Sequence, residues 1–247
     1  MTVDREARTV RRWGASGLLL PLGGTHDGAW ITERAACSAL RAGALRVPGV
    51  RLDEVRITPA APAESYEPTV PPPPGALPPG PLRLSAECAV VAQPTAPDTL
   101  PVPMAAARLR AVLARTAAEG LGLMVTDVDL RVTDVLDEEP SRVPGRGPTP
   151  AMGPDPPFEA DESAVAEAAR SVPGVVRLMA APGAHGRTVR IEERQGDRSL
   201  PRRHVRVRLA VAADRRAIDV ARAVRGAVAE ALLDRPSVAV VVTAVES

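Results

Sequence analysis

The chain contains no lysine: its 31 basic residues are all arginine, set against 30 acids for a formal net charge of +1. That balance removes the overall positive field expected of a general nucleic-acid or acidic-surface binder. Aromatic residues are as scarce, with only Trp13, Trp30, Tyr66 and Phe158 present, which argues against a site built on aromatic stacking. Two cysteines, Cys37 and Cys88, and three histidines, His26, His185 and His204, stand singly without ligand-like spacing, so neither a disulfide framework nor a structural zinc site is expected. Long apolar runs are missing too. The LLLPL stretch at residues 18–22 is far shorter than the roughly 18 apolar residues of a membrane span, and the opening MTVDREARTVRRW lacks an apolar signal core. The reading is a mature cytosolic chain without a membrane helix.

What is present is enough to fold. The chain has 247 residues, 45% of them hydrophobic, which suffices for one large or two small domains. Proline marks where packed structure stops, because it neither continues a helix nor donates to a sheet ladder. Of the 27 prolines, 10 lie between Pro59 and Pro81, including PPPP at Pro71 to Pro74, and 7 more lie between Pro140 and Pro157. Both clusters read as extended spacers. The segments with folding periodicity carry no aromatic residue.

Around those clusters the same order of signals occurs twice. ITERAACSALRAGALR (Ile31 to Arg46) reads as a helix running into VPGV at Val47 to Val50; DESAVAEAARS (Asp161 to Ser171) does the same before VPGV at Val172 to Val175. Strand alternation follows each: LDEVRI and LRLSAECAVVA in the first copy, VVRLMA, RTVRIEE and HVRVRLAVA in the second. A longer helix comes next, Met104 to Gly120 against Arg215 to Leu233. A valine-rich strand closes each copy, with Val125, Val128 and Val132 spaced as Val238, Val241 and Val245 are. A glycine directly after a proline suits a turn requiring positive φ, so Pro48 with Gly49 and Pro173 with Gly174 read as structural turns from helix to strand.

Taken as one unit, a helix leading into VPGV, strands, a long helix and a final VxxVxxxV strand, each copy resembles the alkaline-shock, or general envelope-stress, protein family of Gram-positive bacteria. Residues 161–247 are the closer match. The resemblance leaves out the first 30 residues and the proline-rich segments, and this chain departs from the family in its duplication, its missing lysine and its proline insertion. It implies a non-enzymatic protein that self-associates and is held near the membrane by a separate small anchoring protein.

Catalytic signatures fail on inspection. GASG at Gly14 to Gly17 lacks the spacing of a nucleophile elbow. LGGTHDG (Leu22 to Gly28) sets His26 beside Asp27 behind two glycines, yet without a P-loop lysine it reads as a polar turn before a helix carrying Trp30. His185 reads as a loop-tip residue, and Cys37 and Cys88 as small core residues. The acids Asp137 to Glu139 read as a solvated cluster.

Charge placement is more informative. Residues 127–139 hold six acids and one arginine, whereas residues 187–208 hold eight arginines and three acids. Alternation puts Asp127 and Asp129 on one face of the first strand and Arg206 and Arg208 on the outer face of the second. These four are the candidate interface positions, for contact between the copies or between molecules. A rival reading makes the Arg-rich strand 202–208 a nucleic-acid surface, disfavoured by the near-neutral charge and by the absence of an aromatic on that strand. A docking role for PPPP is the weakest of the three.

The sequence thus predicts an α+β protein of two related small domains, 31–136 with a proline-rich insertion at 59–81, and 161–247. They are preceded by an N-terminal segment 1–30 and joined by a linker at 137–160. The expected role is a scaffold of the cell-envelope stress response, cytoplasmic or peripheral at the inner face of the membrane, with no cofactor, metal or small-molecule substrate evident.

Overall fold

A computed structural model describes residues 17–62, 66–91, 100–136, 160–180, 187–196 and 199–246. The second proline cluster, Asp137 to Glu139, Trp13 and His185 lie outside them. The fold is mixed α+β, with four helices and nine strands in two sheets among the described residues. In chain order these are β1 (Leu19–Leu22), β2 (Ala29–Thr32), α1 (Glu33–Ala44), β3 (Val50–Pro59), β4 (Leu82–Val91) and α2 (Val102–Arg115), which widens into a π turn over Thr116–Leu121. Then come β5 (Val125–Leu136), α3 (Ala160–Arg170), β6 (Val175–Leu178), β7 (Val189–Gly196), β8 (Ser199–Ala212), α4 (Ala217–Ala231) and β9 (Ser237–Glu246).

Local chemistry sets the boundaries. Helix α1 begins two residues later than its periodicity suggests, because the Thr32 hydroxyl accepts from the Ala35 N–H at 3.2 Å and acts as the N-cap. Ile31 and Thr32 therefore belong to β2, as does Trp30, which the sequence reading placed on a helix. Helix α2 opens at Val102 and Pro103, where a missing N–H costs nothing. Its end is fixed at Gly122, in the left-handed region at φ 89° and donating to the Ala117 carbonyl at 3.0 Å. No helix among the described residues is long and apolar enough to cross a membrane.

The three-stranded sheet has the order β3-β4-β5, with β3 antiparallel and β5 parallel to β4. The larger sheet has the order β1-β2-β9-β8-β6, and β7 also pairs with β8. Within it β6 and β7 run antiparallel to β8, while β9 runs parallel to both β8 and β2.

The two halves repeat one another at the level of single hydrogen bonds. Val50 lies opposite Val90 as Val175 lies opposite Val211. The Val91 N–H donates to the Gly49 carbonyl at 3.0 Å, and the Ala212 N–H to the Gly174 carbonyl at 2.9 Å. Gly49 and Gly174 have φ of 68° and 96°, the positive values expected of the two turns. Each final strand then bulges at a threonine. Thr133 is skipped between the pairs Cys88–Val132 and Ala89–Asp134, and Thr243 between Leu209–Val242 and Ala210–Ala244. Each threonine hydroxyl donates to the carbonyl it passes, that of Cys88 at 3.5 Å and of Leu209 at 3.2 Å.

This register corrects the valine alignment. The structural equivalents of Val238, Val242 and Val245 are Val128, Val132 and Val135, three residues beyond the match suggested by spacing alone. The bulge adds a residue that spacing cannot reveal. A second irregularity lies in the strand that follows each turn: Val55 and Ile57 of β3 pair with Ala86 and Leu84, as Val189 and Ile191 of β7 pair with Val207 and Val205. The second copy thus divides between β6 and β7 what the first carries in β3 alone.

The repeats share one core. The inner faces of both sheets meet the apolar faces of the helices in a single cluster running through Leu20, Leu40, Ile57, Leu84, Leu113, Val207, Ile218 and Val240. Helix α1, from the first copy, packs on β9 of the second. Arg216 donates to the Ala118 carbonyl at 3.2 and 3.3 Å, joining α4 to the π turn. The N-terminal segment is no appendage either, since β1 and β2 complete the sheet of the second copy.

Candidate interaction surface

The outer faces of the sheets differ in chemistry. On the larger sheet Leu19, Trp30, Ala239 and Val241 form an apolar patch, and the proline-rich segment of the first copy lies over it through Val70 and Ala76. Trp30 is 1% exposed and donates from Nε1 to the Leu77 carbonyl at 3.3 Å. Leu19 donates to the Gly75 carbonyl at 3.1 Å and accepts from the Leu77 N–H at 2.8 Å, so the same segment also caps the free edge of β1. The stretch read as a spacer is a packed cover. Nothing in its composition reports this, because its partner Trp30 is an isolated residue some 47 positions away.

The LGGTHDG turn has a structural part as well. The Asp27 carboxylate accepts from the Gly24 N–H at 2.7 Å and from Arg222 of α4 at 2.7 and 3.2 Å. Burial alone would raise the pKa of Asp27, but the hydrogen bonds from Arg222 and Gly24 and the charges of Arg222 and Arg225 hold it below the ordinary carboxylate value. Arg225 donates to the His26 and Val238 carbonyls at 2.8 and 3.0 Å, and His26 Nδ1 lies 2.9 Å from the Thr69 hydroxyl. This loop ties helix α4 and the proline-rich cover to the sheet. The sequence reads this stretch as a polar turn and gives no sign of Arg222 and Arg225, whose partners Asp27 and His26 are nearly two hundred residues distant.

The four candidate interface residues do not come together. Asp127 and Asp129 lie on the outer face of the small sheet, where Arg83 on the adjacent strand approaches them to 3.3 and 3.9 Å. Arg206 lies 3.8 Å from Glu192 on β7. It and Arg208 do point outward, opposite Ala239 and Val241, yet both are half-buried. Burial lowers the pKa of Arg208, and the neighbouring charge of Arg206 lowers it further. Strand β8 is interior, flanked by β9 on one side and by β6 and β7 on the other, and Arg203 is paired with Asp161 and Asp234 at 2.6 and 3.4 Å.

Cys37 and Cys88 are buried, and burial raises both thiol pKa values, helped by the charge of Glu33 at Cys37 and of Asp53 at Cys88. Among the described residues no group of three or more His, Cys, Asp or Glu is placed to hold a metal ion.

The feature the sequence did not announce is the outer edge of β5. Its equivalent in the second copy, β9, is closed by β2, whereas β5 has no second strand beside it among the described residues. Val132 and Val135 stand 38% and 53% exposed there. No family model, no curated protein and no solved structure matches the chain.

Proposed function

We propose that this chain is a non-enzymatic structural or scaffolding protein of the cell-envelope stress response, which self-associates and is held at the inner face of the membrane by a small anchoring partner. The sequence resemblance of each helix–VPGV–strand–helix–strand unit to alkaline-shock proteins supports the cellular setting. The observation that carries self-association is β5, a twelve-residue strand with exposed valines that lies at the edge of its sheet among the described residues. An edge of that length is a template for pairing with another chain.

Fractionation of native cells, with and without nuclease and salt washing, tests the reading. Recovery with membranes, indifferent to nuclease, is expected. Nuclease-sensitive recovery with ribosomes or nucleoid would overturn it and return attention to the arginines of 202–208.

A further inference from the structure

We infer that the outer edge of β5 pairs antiparallel with the β5 edge of a second copy of this chain, about a two-fold axis at Leu130. The inference rests on the self-association proposed above and specifies where and in what register it occurs. Among the described residues β3 also has a free edge, but its pairing with β4 is broken between Leu52 and Val55 and ends at Pro59, devices that blunt an edge. Strand β5 keeps an unbroken register over the six residues from Asp127 to Val132, between its own irregularities at Thr126 and Thr133.

Self-complementarity of the β5 sequence selects the register. With Leu130 opposite the partner's Leu130, Asp129 faces the partner's Arg131 and Arg131 faces the partner's Asp129. Val128 then faces the partner's Val132. Shifting the axis to Asp129 sets two carboxylates against each other, and shifting it to Arg131 sets two guanidinium groups together. Only the Leu130 axis, among these three, pairs opposite charge without also setting like charges together, and it places Val128 against Val132. It is an isologous contact, closed by its own two-fold symmetry. The Val128 carbonyl accepts from Arg110 Nε at 3.2 Å. In the second copy the equivalent edge of β9 is occupied by β2, in the parallel sense.

Charge reversal tests the register. In Asp129→Arg each contact sets arginine against arginine, and in Arg131→Asp it sets aspartate against aspartate. Each variant alone should dimerise about tenfold or more weakly than the natural chain in sedimentation equilibrium. An equimolar mixture of the two should recover the dimer, because arginine then faces aspartate at both positions; a misfolded chain could not give that recovery, and circular dichroism checks each variant separately. A natural chain that stays monomeric overturns this inference and the scaffold reading together. A natural chain that associates, with variants that associate equally well or a mixture that does not recover, overturns the β5 pairing alone and leaves self-association to another surface.

Discussion

Strands β5 and β9 close their respective copies by the same route, each parallel to the strand before its helix and each bulged at a threonine, and they end in opposite circumstances. Strand β9 lies between β8 and β2, with Val238, Val240, Val241 and Val242 all at most 2% exposed. Strand β5 has one neighbouring strand among the described residues, and its burial pattern is exposed or intermediate throughout. One topology therefore yields an interior strand or an edge according to what the rest of the chain lays beside it. The outer faces diverge in the same way: that of the larger sheet is partly apolar and covered, whereas that of the small sheet is charged and open.

The largest test of this contrast is to strip the cover. Trp30→Ala removes the side chain on which Val70, Leu19 and Val241 converge, and should destabilise the protein by about 3–5 kcal/mol, read as a lowered denaturant midpoint. Loss of hydrogen-exchange protection at Leu77, whose N–H donates to the Leu19 carbonyl, should accompany it. An unchanged midpoint would mean that the proline-rich segment does not lie on the sheet.

Next in size is the turn that begins the second copy. Gly174 has φ 96°, and an added Cβ would lie 2.8 Å from Val220 Cγ2. Gly174→Ala should therefore cost about 2–3 kcal/mol, from backbone strain and from overpacking together. Thermal denaturation measures it, and a neutral result would remove the turn from the list of features that fix the repeat.

A smaller effect is expected at Asp27. Its folded pKa lies below the model-compound value of 3.8, so the ionised group contributes stability above that value, and the contribution is lost as pH falls through the depressed folded value. Asp27→Asn should cost about 1 kcal/mol at pH 7, since Arg222 is half exposed and partly screened. It should also flatten the fall in stability below about pH 4. An acid limb unchanged by the substitution would place the responsible carboxylate elsewhere.

The smallest effect belongs to the open face. Arg83 and Asp127 are each close to half exposed, so Arg83→Ala should change stability by about 0.5 kcal/mol or less. A cost comparable to that of Trp30→Ala would show that the charged face is covered after all.

Much of this was legible in the sequence, for physical reasons that differ by feature. Helices α3 and α4 and the long strands follow from apolar spacing, because a helix or strand must bury one face whatever its neighbours are. The turns follow from Pro-Gly, because few residues other than glycine tolerate the backbone they require. The sequence reading lost β2 to a helix, since AWIT carries no alternation and its burial comes from β1 and β9 on either side. It also misaligned the final valines by three, since a bulge is visible only in the ladder.

By itself, then, the sequence determined the class of fold, the repeated order of its elements and the two glycine turns, all local consequences of side-chain pattern and backbone freedom. Tertiary structure alone decided which strand would be covered. It brought β2 to β9 and the proline-rich segment to Trp30, and it left β5 at an edge. Those outcomes depend on contacts between segments far apart in the chain, which a pattern of neighbouring residues does not encode.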